Sequence, residues 1–239
     1  MYRVQNFLVI TIGAQQAWKI KMTNLKMESV LDYVIKHAIH KNPKSVLDTI
    51  DSYAMNGSLE RKRFLMNVGP EKGAILKDCI ETHKSKKILE LGSFVGYSAI
   101  LIAMTIGKND TLISIDPDPN SIRIATQIVE YAGLSNKITF IESRAEDAIN
   151  NFNLPFDLIF IDHAKKRYLP DLILLEEAGL VKKDTVIFAD NVGLFRDQMT
   201  EYFKHVRDVN FYASNNIESN LEYRGNIYDA VEISVRKID

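Results

Sequence analysis

Only one cysteine, Cys79, occurs among the 239 residues. A lone cysteine excludes an intramolecular disulfide framework and any cysteine-rich zinc site. With no thiol motif around it, Cys79 reads as a small core side chain. A surplus of one charge sign is missing too. Lys and Arg total 30 against 31 Asp and Glu, a formal net charge of −1. Bulk charge therefore points to no polyanion surface, and no nucleic-acid partner is expected. No long membrane-spanning run is apparent, since a spanning helix needs about 20 apolar residues. The stretch FLVITIGA (7–14) is short, Gln15 and Gln16 interrupt it, and only Arg3 precedes it as a cation. The length of the run would suit a cleaved secretory leader, but a single preceding cation is a weak n-region. We read residues 1–27 as an extension, disordered or lying on a membrane surface through residues 1–21. Repeats, low-complexity tracts and linkers are absent from 28–239.

What is present is an ordinary globular balance, 46% hydrophobic and 26% charged. The stretch 28–57 has apolar residues at helical spacing, with Pro43 near the start of its second half. NGSLERKRF (56–64) breaks that pattern with Asn-Gly and a charge run, and reads as a loop. A helix is expected over 70–83. From 87 onward, short apolar strands at 87–91, 111–116, 137–142, 157–162 and 185–190 alternate with helical patterns at about 97–106, 119–132, 145–152, 168–178 and 195–207. Alternation of this kind means parallel strands with helical crossovers. VNFYASNN and AVEISVRK, near the end, are strand-like with no helix between them, which suggests an antiparallel hairpin at the sheet edge. The expectation is one α/β domain over 28–239 with a helical N-terminal cap.

Open α/β sheets bind ligands at the carboxyl ends of their strands. Here the strands end in Glu90, Asp116, Glu142, Asp162 and Asp190. The first strand runs into ELGSFVGYSA (90–99), where Gly92 and Gly96 allow close backbone approach to a ligand. Their G-x-x-x-G spacing is not the dinucleotide phosphate loop, which disfavours a nicotinamide oxidoreductase. It suits a ligand without pyrophosphate, such as S-adenosylmethionine. Glu90 would then receive its ammonium and Asp116 its ribose hydroxyls.

Asp162 and the pair Asp190-Asn191 end two further strands. Two carboxylates and an amide oxygen make a hard oxygen set suited to Mg²⁺, and no His or Cys cluster points to zinc. A turn at Asp190-Asn191 and a helix cap at Asp162 would explain the same residues, and spacing leaves both readings open. Lys165 follows three residues after Asp162. Beside a divalent cation the charged form of a lysine is disfavoured, which suits Lys165 to accept a proton from a substrate hydroxyl. Lys166 and Arg167 read as surface charges or ion-pair partners, and His163 as a packing or ligand-lining residue.

Six motifs then combine: MNVGPEKG (66–73), ILELGSFVGYSA (88–99), YAGLSNKIT (131–139), IDHAKKRYLPD (161–171), FADNV (188–192) and LEY (221–223). In them the chain resembles the catechol O-methyltransferases of animals, from about residue 28 to 236. The resemblance implies a Rossmann-like class I methyltransferase fold: a seven-stranded, mostly parallel sheet with an antiparallel C-terminal hairpin and helices on both faces. It implies Mg²⁺ on Asp162, Asp190 and Asn191, and Lys165 as the general base. Glu222 would bind the second hydroxyl of a catechol. Donor positions would be Met66, Val68, Glu90, Gly92, Tyr97, Ser98, Asp116, Ala145, Glu146, Asp162 and His163. Lys165, Asn191, Glu222, Phe64 and Phe195 would face the substrate. The implied protein is a cytoplasmic monomer that methylates a catechol from S-adenosylmethionine. A different vicinal-dihydroxy substrate, or a non-catalytic scaffold, stands as the alternative. The resemblance breaks at Ala164 and Phe64, where the family carries tryptophans. It breaks again at Phe195, in place of a proline, and at Ala145, in place of a serine.

Overall fold

The computed structural model describes residues 26–59 and 65–239. The expectations for residues 1–25 and for Phe64 lie outside the described residues. Two helices come first, α1 (26–37) and α2 (Pro43–Leu59). The loop expected at 56–64 is corrected in its first part: α2 runs through Asn56 and Gly57 to Leu59. A mid-helix glycine costs about 1 kcal/mol, and the packing of Val46, Ile50, Tyr53 and Ala54 in the core outweighs it.

The following elements are α3 (Gly69–His83), β1 (Lys87–Leu91), α4 (Tyr97–Thr105), β2 (Thr111–Asp116), α5 (Pro119–Ala132), β3 (Ile138–Glu142) and α6 (Ala145–Ala148). After them come β4 (Leu158–Ile161), α7 (Tyr168–Glu177), β5 (Val186–Ala189), α8 (Thr200–Val206), β6 (Tyr212–Leu221) and β7 (Arg224–Arg236). Short 3₁₀ turns extend α6 and precede α7 and α8. The seven strands form one sheet in the order β3-β2-β1-β4-β5-β7-β6. The first five are parallel, and β7 joins β5 antiparallel. This matches the expected architecture. The hairpin strands are longer than their apolar patterns suggested and meet at Glu222-Tyr223.

The pleat divides the core. Ile88, Leu112, Leu158, Phe160, Val186 and Phe188 face α1 to α5. Their neighbours Leu89, Leu91, Ile159, Ile161, Ile187 and Ala189 face α6 to α8. Alternate residues of a strand point to opposite faces, and a parallel strand covered on both sides reads as a continuous apolar run. That is why LIFI and VIFA are buried throughout. No helix of the described residues is long and apolar enough to cross a membrane.

Strand order reverses between β1 and β4, so their carboxyl ends flank the crevice of an open α/β sheet. At that point Gly92 (φ 108°) lets the β1–α4 turn press against β4. A Cβ there would lie 2.6 Å from the Asp162 carbonyl oxygen. We predict that Gly92→Ala lowers unfolding free energy by about 2 kcal/mol or more. Urea unfolding followed by circular dichroism measures it, and an unchanged midpoint would show that this turn relaxes freely.

Candidate active site at the strand ends

The β1–α4 turn is tied to β2 through one carboxylate. Asp116 Oδ2 accepts the Ser93 N–H (3.0 Å) and the Phe94 N–H (3.3 Å), and Oδ1 accepts the Asp118 N–H (2.9 Å). Burial still raises the Asp116 carboxyl against these donors. In front of the turn is a cleft of about 210 Å³. Gly92, Tyr97, Ser98 and Asp116 form one wall, Asp162, His163 and Ala164 the other, and Met66 lies at the rim. Glu90 stands behind that lining, fully buried at the end of β1. Its Oε2 accepts the Ser114 hydroxyl, while its Oε1 has no hydrogen-bond partner among the described residues. Burial pushes the Glu90 carboxyl up to about 8, and Ser114 only partly opposes this.

At the ends of β4 and β5, oxygens converge on Lys165. Its Nζ donates to Asp162 Oδ1 (3.0 Å), Asn191 Oδ1 (3.1 Å) and the Tyr168 hydroxyl (2.5 Å). Asn191 adopts the left-handed φ of 55° that asparagine tolerates better than most residues. Its amide is fixed by donation from Nδ2 to Glu222 Oε1 (3.1 Å) and Asp229 Oδ2 (2.8 Å). That leaves Oδ1 on the Lys165 side. The Tyr168 hydroxyl donates to the Asp190 carbonyl (3.0 Å) and so ties α7 to the end of β5.

Behind this group lies a residue the sequence reading missed. Lys72 of α3 has no solvent exposure. Its Nζ pairs with Asp190 Oδ1 (2.6 Å), Asp229 Oδ2 (2.8 Å) and Glu222 Oε1. Burial alone would lower the Lys72 ammonium, but the three carboxylates outweigh it and hold it well above the usual lysine range. Burial pushes Asp190 up to about 8 in spite of Lys72, and it raises Glu222 as well. Asp229 goes the other way. Burial would raise it, but Lys72, the Leu194 N–H and the Asn191 amide hold it below the usual range. One signal for Lys72 was available: it occupies the buried stripe of α3 with Gly69, Gly73 and Leu76. Asp229 sits in a polar hairpin with no such pattern.

The remaining expected residues divide. His163 lines the cleft, stacks on Tyr168 (centroids 5.3 Å apart, planes 15°), and has Nε2 2.7 Å from Asp171 Oδ2. Phe195 packs on the core beside the β5 exit, with its ring centroid 5.8 Å from Lys165 Nζ. Val68 is buried just before α3, beside the Glu222 side of the site rather than the cleft. Ala145 and Glu146 are not among the cleft-lining residues. Glu146 pairs with Arg167, which also holds Asp171 Oδ1 at 2.5 Å. Arg167 is therefore an ion-pair partner.

The donor set fits a hard divalent cation. Asp190 Oδ2 is buried with no hydrogen-bond partner among the described residues, an arrangement that costs free energy unless something positive satisfies it. Asp162 Oδ1 and Asn191 Oδ1 already gather around one positive group, the Lys165 ammonium. Carboxylate and amide oxygens are the ligands Mg²⁺ takes.

A family model described as O-methyltransferase matches residues 53–219. The chain is 34% identical to a catechol O-methyltransferase of Bos taurus over 90% of its length and 78% of that protein. It is 36% identical to catechol O-methyltransferase B of Danio rerio, over 82% of this chain and 74% of that one. Its fold is similar to the O-methyltransferase from Bacillus cereus solved in complex with SAH. The TM-score is 0.67 at 20% identity, covering 78% of this chain and 90% of that chain. With sheet order, strand-end site and sequence in agreement, the chain belongs to the O-methyltransferase family, alongside the catechol O-methyltransferases.

Proposed function

We propose that this methyltransferase transfers the methyl group of S-adenosylmethionine to one hydroxyl of a catechol, with Mg²⁺ held by Asp162, Asp190 and Asn191. The observation that carries this reading is the double position of Asp162. It lines the 210 Å³ cleft and also contacts Lys165. A donor in that cleft and an acceptor at Lys165 would meet at one carboxylate. The names of the bovine and zebrafish relatives support the catechol assignment, and the bound SAH of the Bacillus cereus protein supports the donor.

The cleft residues do the binding. Asp116 retains acceptor capacity beyond its three backbone donors and takes ribose hydroxyls. Ser98 and Glu90 serve the amino-acid end, and Ala164 forms a low wall where an aromatic ring would otherwise pack. When bound, Mg²⁺ supplies Lewis acidity and a template for two vicinal oxygens. Lys165 accepts the proton of the reacting hydroxyl. That oxygen then forms a bond to the methyl carbon as the carbon–sulfur bond breaks. Glu222 accepts a hydrogen bond from the neighbouring hydroxyl. Phe195 and Met66 shape the apolar walls. Orientation and fixed charge supply most of the acceleration.

Two measurements test this. With a simple catechol and labelled donor, Lys165→Ala should lower kcat by about 10²- to 10⁴-fold, the usual contribution of a general base. Donor affinity by calorimetry should stay unchanged. Wild-type kcat in that variant would remove Lys165 from the proton transfer. Excess chelator should abolish turnover of the wild type, and added Mg²⁺ should restore it. Full turnover in chelator would eliminate the metal role while leaving donor binding intact.

A further inference from the structure

Three of the site's carboxylates form a cage of their own. One oxygen each of Asp190, Glu222 and Asp229 lies within 4.8 Å of the others, and all three residues are buried. Such a set has the shape of a cation site, and a cation of the chain itself is inside it. Lys72 Nζ contacts Asp190 Oδ1, Glu222 Oε1 and Asp229 Oδ2. Its ammonium contacts all three carboxylates and donates a hydrogen bond to Asp229 Oδ2. Two further atoms complete the pattern. Among the described residues, Asp190 Oδ2 and Glu222 Oε2 are buried without hydrogen-bond partners. Each belongs to a carboxylate whose other oxygen Lys72 has taken.

We infer that Lys72 is a positioning residue that acts as an internal cation. It fills the three-carboxylate cage, keeps a second divalent ion out of it, and fixes which oxygens of Asp190 and Glu222 stay free for the reaction. This inference rests on the metal-dependent methyl transfer proposed above. Without the ammonium, three carboxylates would face one another across a buried gap. Like charges this close cannot all stay ionised unless a positive group joins them. A divalent ion is the obvious substitute, and it would draw Glu222 into its ligand shell and away from the acceptor hydroxyl. The cage also steers its surroundings. Asp229 Oδ2 accepts the Asn191 amide (2.8 Å), and Asp229 Oδ1 accepts the Leu194 N–H (2.9 Å), next to Phe195.

The test is Lys72→Met, which keeps the apolar stem and removes the charge. Mn²⁺ bound per chain is counted by electron paramagnetic resonance of the free ion, donor affinity is read by calorimetry, and KM is measured for a simple catechol. The wild type should bind one Mn²⁺ and Lys72→Met two. Acceptor KM should rise at least about tenfold, in line with the loss of a buried charge partner. Donor Kd should stay within about twofold, because Lys72 is not among the residues lining the cleft. One Mn²⁺ per chain in the variant, or an unchanged acceptor KM, overturns the inference. Should Lys72→Met fail to bind the donor, Asp229→Asn replaces it. That variant weakens the cage while leaving Lys72 in place, and should still raise acceptor KM at least about threefold; an unchanged KM overturns the inference there too. A wild type that takes up no Mn²⁺ would instead refute the metal-dependent reading itself.

Discussion

The interior of this protein holds more negative charge than a folded core ordinarily accepts, and one ammonium makes that tolerable. Asp190, Glu222 and Asp229 come from three places, the end of β5, the hairpin turn and β7. Burying an uncompensated carboxylate costs several kcal/mol. Lys72, reaching in from α3, is the charge they share. The pairing also decides topology locally. It ties the helix before β1 to the hairpin at the β6 edge of the sheet, so the site draws on both. Replacing such a cluster by apolar residues can be neutral for stability in other proteins. Its retention here makes sense as a device for aiming oxygens.

The second constraint is the crevice where strand order reverses. Close approach of β1 to β4 depends on Gly92, and the turn above it is pinned by Asp116. Asp116 therefore contributes to the fold before it contributes to any ligand. The same economy holds at Tyr168, which is core on one face and bonds the Asp190 carbonyl and Lys165 through its hydroxyl. Groups around the site are held by bonds to elements that belong to the sheet, which is the rigidity a positioned reaction requires.

Much of this was legible in the sequence, and the reason is physical. Apolar runs such as LIFI and VIFA are strands because only a doubly covered parallel sheet buries every residue of such a run. Acids at their ends then fall on one edge, so Asp116, Asp162, Asp190 and Asn191 could be brought together from spacing. The hairpin was harder. Residues 217–229 cover the end of the edge strand β6, the turn and the start of β7, and mix Asn, Glu and Ser with scattered apolar residues, so no apolar alternation reveals them. Glu222 and Asp229 sit in that stretch. Glu222 was reached only through resemblance, and Asp229 was not reached at all. Lys72 was readable as a cation on the apolar stripe of α3, yet a lysine's surface habit hides it. Asn56-Gly57 misled because turn chemistry is a local preference, and α2 packs its face well enough to override it.

The two lysines of the site are divided by their surroundings. Lys72 faces three carboxylates and no solvent, so giving up its proton would leave those charges without a partner. It can orient but cannot serve as a base. The side chain of Lys165 keeps 11% of its exposure. Its contacts are one carboxylate, an amide oxygen, a carbonyl and a hydroxyl. A cation bound to the same oxygens would displace the Lys165 side chain from them. In the reaction proposed above, proton transfer is assigned to Lys165, which one carboxylate contacts, and not to Lys72, which three contact. Lys72 would hold the three carboxylates in place throughout that step.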